Sequence, residues 1–252
     1  MDRMLEATAR AEDRHFWFRA LRRNAGHLLA SALAPDSRAT IVDCGAGTGR
    51  NLDWLARFGR AVGVELSPAG LAAARGRGHR LVRATVAALP LADSSVVAAT
   101  AFDVLYCLPD DIEQQALAEM WRVLEPNGVA VFHVAALDAL RGSHSTLTRE
   151  VRRYTPSRLR SRLEAAGFVV ERLTFTNLPT FPVALASRTL ERLTGRAQQA
   201  SDADLAVPLP PLNTLFDWLL RLEGWWLRRA NVPIGSSLLC LARKADRPVR
   251  PG

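Results

Sequence analysis

The apolar positions of the chain change period several times, and each change marks an element. Over residues 4–34, Leu21, Leu28, Leu29 and Leu33 recur on one helical face and Pro35-Asp36 ends the run, which predicts an N-terminal helical segment. From residue 39 short apolar runs alternate with amphipathic ones. Residues 40–43, 61–65, 81–85, 95–102, 129–135, 168–175 and 237–242 read as strands, with residues 51–58, 71–75, 112–123 and 156–166 as helices between them. The fifth strand is entered through Glu125-Pro126-Asn127-Gly128, a turn sequence. Such alternation predicts a doubly wound α/β fold, a parallel sheet between two helical layers.

Residues 177–234 separate the sixth strand from the last, and connections of that length in compact domains usually carry function. They are expected to form a helical lid. Within them Leu212, Leu215, Phe216, Leu219, Leu222 and Trp226 fall at helical spacing with Asn213, Asp217 and Arg221 opposite, which predicts a helix whose apolar face packs on the core. Trp218, Trp225 and Trp226 leave three other uses of that face open: a wall for an apolar substrate, a dimer face, or a helix lying on a membrane surface. The expected organisation is therefore an N-terminal helical cap (1–38), an α/β core (39–176), the lid (177–234), a last core strand (235–246) and a disordered tail (247–252).

Composition narrows the class. The 252 residues suffice for one large domain with a modest cap, and 48% hydrophobic with 23% charged residues excludes a disordered or fibrous chain. A net charge of +8 admits nucleic acid, anionic lipid or an acidic substrate. Lys244, however, is the only lysine, and so strong a preference for arginine fits coding bias in a GC-rich genome as well as it fits a binding surface. One cluster stands out: Arg149, Arg152, Arg153, Arg158, Arg160 and Arg162. Cys44, Cys107 and Cys240 lack any paired spacing, so neither a disulfide framework nor a metal site is expected, and a reducing cytoplasmic location is. The N-terminus has no apolar run of the signal-peptide kind, and no apolar stretch approaches the ~20 residues that span a bilayer.

The chemistry concentrates at Asp43-Cys44-Gly45-Ala46-Gly47-Thr48-Gly49, which closes the first strand and opens a helix at the sheet edge where open α/β folds bind ligands. Dinucleotide folds space their glycines G-x-G-x-x-G and aim the helix N-terminus at a pyrophosphate. Here the spacing is G-x-G-x-G, and Asp43 precedes it, a carboxylate that repels a pyrophosphate and attracts an ammonium or sulfonium. Glu65 ends the second strand about 20 residues after the first glycine, where such folds place an acid against ribose hydroxyls. His144, beyond the fifth strand, is a candidate general base, and Arg153 with Tyr154 is a candidate pair for orienting an acceptor.

These residues resemble the class I S-adenosylmethionine-dependent methyltransferases, in particular a bacterial group with an N-terminal His-x-Trp-Phe-x-x-x-x-Arg element. The matching segments are residues 15–23, 42–51, 63–67, 88–91, 103–105, 122–128 and 152–154. The resemblance implies a Rossmann-like seven-stranded sheet with its last strand antiparallel, and methyl transfer from S-adenosylmethionine, which leaves as S-adenosylhomocysteine. It further implies that Gly45, Gly47 and Gly49 line the methionyl part with Asp43 near the amino group, that Glu65 holds the ribose, and that Leu66, Thr85 and Val86 meet the adenine. Phe102 and Asp103 would face the transferable methyl, and Trp17 and Arg19 would close the site from above. The chain departs from the family pattern where aspartate usually stands near Thr85-Val86, Phe-Asp at Val96-Val97 and His-Asp at His144-Ser145. No metal is expected.

The acceptor expected on this reading is a small, partly apolar organic molecule, with a monomer or homodimer as the assembly, no transmembrane segment, and peripheral membrane contact allowed. The rival classes are a non-methylating catalyst or binding protein on the same fold, and a nucleic-acid methyltransferase. Against the last, the segment after strand four reads Asp103-Val104-Leu105-Tyr106-Cys107-Leu108-Pro109, with neither the Pro-Pro-Tyr nor the Pro-Cys signature of base methylation.

Overall fold

The computed structural model describes residues 2–36, 38–148, 150–195 and 205–245. Their elements run α1 (Asp2–Ala11), α2 (Phe16–Ala32), β1 (Thr40–Cys44), α3 (Arg50–Leu55), β2 (Arg60–Glu65), α4 (Pro68–Ala74), β3 (Arg80–Arg83), β4 (Val96–Phe102), α5 (Asp110–Val123), β5 (Leu124–Ala135), α6 (Ser143–Thr148), α7 (Pro156–Ala165), β6 (Phe168–Thr176), α8 (Phe181–Leu193), α9 (Pro210–Leu227) and β7 (Ser237–Lys244). The strands form one seven-stranded sheet in the order β3-β2-β1-β4-β5-β7-β6, in which β7 runs antiparallel to both of its neighbours. This is the doubly wound sheet that the alternation predicts, with the reversed last strand that the family resemblance implies.

Both faces of the central strands are buried, so neighbouring residues go to opposite layers. Val42, Ala99 and Phe132 pack with Leu117 and Met120 of α5 and Leu159 and Leu163 of α7. Their neighbours Ile41, Ala98 and Val131 pack with Leu28 and Leu29 of α2 and Leu52 and Leu55 of α3. The expected tail 247–252 lies outside the described residues.

Three local expectations are corrected. The N-terminal segment is two helices, because His15 adopts an extended backbone and its side chain accepts from Trp17 N, capping α2 and ending the run begun by α1. Strand five begins at Leu124, just ahead of the anticipated turn, and runs through it. The β4–β5 register shifts between Val96 and Ala98, opposite Pro126, which has no N–H to pair, and Asn127, which takes a left-handed φ of +63°.

The third correction is the orientation of α9. Its inward face carries Asp217, Leu220, Glu223, Gly224 and Leu227, with Phe216 of the expected face half-buried against Phe16, whereas Leu212, Leu215, Trp218, Leu222, Trp225 and Trp226 stand in solvent. Charge and size decide this. Arg19 and Arg23 on α2 pair with Asp217 at 3.1 and 3.4 Å, and Leu220 is buried among Phe16 and Ala20. Gly224 lets the helices close, since a Cβ there would come within 2.8 Å of Asn24 Oδ1.

Candidate active site

At the carboxyl end of β1 the chain turns through Gly45, Gly47 and Gly49, all at left-handed φ, and enters α3. The need for glycine is steric as well as conformational at Gly45, where a Cβ would overlap Val104. The amides of Gly45 and Ala46 donate back to Val64 O, which fastens the loop to β2. Glu65 at the end of β2 completes the loop: Oε2 accepts from Gly47 N at 2.8 Å and Oε1 from Ser67 N at 2.7 Å.

Asp43 lies beneath the loop, wholly buried. Its Oδ1 accepts from the Thr100 hydroxyl at 2.6 Å, while Oδ2 is buried with no hydrogen-bond partner among the described residues. Burial pushes this carboxyl up to about 7, with the Thr100 hydroxyl and then the nearby Asn51 amide pulling the other way and the Glu65 charge adding to the rise. A buried, half-satisfied carboxyl is costly, and it suits a cationic donor laid across the loop.

Above the loop opens a cavity of about 650 Å³, within the range that encloses small molecules. Of the cofactor residues singled out in the sequence, Trp17, Gly45, Gly47, Glu65, Leu66, Thr85, Val86, Phe102 and Asp103 all line it. Leu66 stands 60% exposed at its mouth, and Thr85 and Val86 follow the end of β3. Asp43 and Gly49 form the layer behind the lining. Arg19 is elsewhere, paired with Asp217. Tyr154 is also remote from the opening, fully buried and donating its hydroxyl to Glu113; burial, then that carboxylate, drives its phenol well above the ordinary range. The side chain of His144, on α6, lies outside the described residues.

Two groups, His133 behind the cavity wall and Glu12 on it, carry no signal in a linear reading. His133 is paired with Phe102 across β4 and β5, and its Nδ1 lies 3.0 Å from Asp103 Oδ1 while its ring meets Trp17 edge-on at 5.4 Å. The strand register alone could have located it. Asp103 holds that position with φ +61°, a strained value for a non-glycine residue. Glu12, just after α1, reaches over the loop: the Thr48 hydroxyl donates to it at 2.7 Å and Arg77 at 2.9 Å. Burial raises its carboxyl, against the lowering effect of Thr48 and Arg77. His15, also on the lining, is pushed down to about 4 by burial and is neutral at physiological pH.

The arginine cluster is spent internally. Arg152 is buried against Asp110 and Glu113, Arg162 meets the same two acids, Arg158 approaches Asp110, and Arg160 pairs with Glu164. Arg153 lines the cavity but is held by Glu150 in a two-point contact and by Ala136 O. Arg149 lies outside the described residues.

Residues 42–132 match the family described as a methyltransferase domain. The malonyl-[acyl-carrier protein] O-methyltransferase of Serratia marcescens is 30% identical over 126 residues, which are 48% of this chain and 48% of that protein. The chain thus spans about half the length of the curated relative it matches. Among solved structures, a SAM-dependent methyltransferase from Thermotoga maritima superposes with a TM-score of 0.59 at 20% identity, covering 97% of this chain and 100% of that one. The 1,6-didemethyltoxoflavin-N1-methyltransferase of Burkholderia thailandensis, solved with that substrate and S-adenosylhomocysteine, superposes with a TM-score of 0.54 at 22% identity, covering 90% and 79%. At these identities the structures establish a shared fold.

Proposed function

We propose that the chain, whose residues 42–132 match a methyltransferase-domain family, transfers a methyl group from S-adenosylmethionine to a small, partly apolar organic acceptor. The observation that carries this reading is the convergence, at one cavity, of a bare glycine loop, a buried carboxyl with an unsatisfied oxygen, and a strand-end acid. When bound, S-adenosylmethionine supplies an electrophilic methyl on a positively charged sulfur. The residues fit it by charge. Asp43 Oδ2 answers an ammonium, the loop backbone at Gly45 and Gly47 admits the methionyl chain, and Glu65 retains lone pairs for two ribose hydroxyls. Leu66, Thr85 and Val86 offer an apolar and hydroxyl-lined slot for a base.

The acceptor half of the cavity is apolar, with Phe18, Leu108, Leu140, Val183 and Phe216 on its walls. Methyl transfer from a good leaving group asks mainly for alignment and exclusion of water. Trp17 and Phe102 supply shape there, and the Asp103 carboxylate, held by His133, orients the acceptor or takes its proton. The segment 177–234 lends Val183, Pro208 and Phe216 to the walls, which supports its reading as a lid. A nucleic-acid substrate is disfavoured by the internal pairing of the arginine cluster.

The test is calorimetry with S-adenosylhomocysteine followed by its detection as product. The wild-type chain is expected to bind it and the Gly47→Arg variant to lose all measurable binding, because the side chain would enter the cavity from a left-handed position. Unchanged affinity in the variant, or preference for a dinucleotide, overturns the assignment. Binding without product across apolar hydroxyl and amine acceptors would select a non-methylating role instead.

A further inference from the structure

The chain has six tryptophans, and three of them, Trp218, Trp225 and Trp226, stand 56%, 52% and 52% exposed on one helix, α9. With Leu212, Leu215 and Leu222 they form a continuous apolar strip covering about 140° of the helix, at ~100° per residue. Large exposed apolar patches mark interaction surfaces. The exposed charge on α9 itself has one sign. Both acids of α9 are turned inward: Asp217 is held by Arg19, Arg23 and Arg221, and Glu223 accepts from the amides of Asn177 and Leu178. Exposed Arg221, which also reaches Asp217, and exposed Arg228, which lies 2.9 Å from His27 Nε2, flank the strip, and exposed Arg229 lies over the Trp225 ring at 4.3 Å.

We propose that this outward face of α9 is a docking surface for an anionic lipid bilayer, with the helix lying in the headgroup region. Indole rings favour the boundary between headgroup and acyl chain, and arginines beside them meet lipid phosphates. No described helix is long and apolar enough to cross a membrane, so α9 lies on the surface and does not span it. A second copy of the chain fits less well, because α9 exposes no acid to answer the arginines at its C-terminal end. The same helix contributes Phe216 to the cavity wall, so the docked surface adjoins the space for an apolar acceptor. The inference stands independently of methyl transfer, since it rests on α9 alone.

The experiment is co-sedimentation of the full chain with vesicles of phosphatidylcholine alone and of an equal mixture with phosphatidylglycerol, at rising sodium chloride, with tryptophan fluorescence in parallel. Binding to the anionic vesicles with a blue-shifted emission, falling as salt rises, is expected. The variant Trp218→Ser/Trp225→Ser/Trp226→Ser should lose at least about tenfold in partitioning, and Arg228→Glu/Arg229→Glu at least about tenfold on anionic vesicles alone. All these positions are exposed; circular dichroism and S-adenosylhomocysteine affinity, both expected unchanged, report that each variant is folded. Absence of vesicle binding by the wild type, equal binding to neutral vesicles, binding that survives the tryptophan changes, or a tryptophan-dependent dimer without lipid uptake overturns the proposal.

Discussion

At the scale of single residues the most informative group is Asp43. Its carboxyl is held near 7 against an ordinary 3.8, so the free chain keeps it protonated through mildly acidic pH. A cationic ligand needs the ionised form. Binding therefore releases a proton between about pH 4 and 7, and affinity is expected to rise through that window by up to about tenfold per pH unit and to level off above it. Titration calorimetry across pH 5–8 checks this, and Asp43→Asn should bind more weakly with the window flattened; a wild-type affinity independent of pH there would contradict the assignment. Thermal stability is the poorer readout. The raised Asp43 makes the folded chain less stable as pH climbs from about 4 to 7, while His15, depressed from 6.5 to about 4, makes it less stable as pH falls through nearly the same range, so the two oppose.

At the scale of elements, the seating of α9 on α2 depends on a buried acid shared by three arginines. Burial pushes the Asp217 carboxyl up, and Arg221, Arg19 and Arg23 outweigh it, so it stays ionised. Asp217→Ala leaves Arg19 and Arg23 facing a buried seam without their partner, and a loss of roughly 1–3 kcal/mol is expected, read as a melting temperature lower by several degrees. Gly224→Leu should do as much by steric means, since its Cβ already meets Asn24. If both variants melted with the wild type, α9 would not be packed on α2 as described. The arginine of the N-terminal motif thus serves the packing of two helices, whereas its tryptophan serves the cavity.

At the scale of the whole molecule, β7 enters the sheet between β5 and β6, from the far end of the sequence. Its ladder to β5 runs from Val129↔Arg243 to Ala135↔Ser237, and that to β6 from Phe168↔Lys244 to Thr176↔Ser237. Until that strand arrives, two edges rich in apolar residues stay open, the condition under which sheets aggregate. A chain ending at residue 234 is expected to sediment as aggregate where the full chain stays in solution. Recovery of a dispersed, S-adenosylhomocysteine-binding protein from it would show that the sheet closes without β7.

How much was legible in the sequence depends on the range of the forces involved. Strand and helix order, the reversed last strand implied by the family likeness, and the position of the glycine loop against Glu65 rest on local period, on φ angles that only glycine tolerates easily, and on motif spacing; these survive in a linear reading. Contacts between distant segments do not. Only the packed chain placed His133 beside Asp103, brought Glu12 over Thr48, consumed the arginine cluster with Asp110 and Glu113, and withdrew Tyr154 from the cavity. It also rotated α9 away from the expected face, because burying one acid among the arginines of α2 and closing on Gly224 outweighed hiding a strip of leucine and tryptophan, and an amphipathic period cannot say which of its faces a partner will cover.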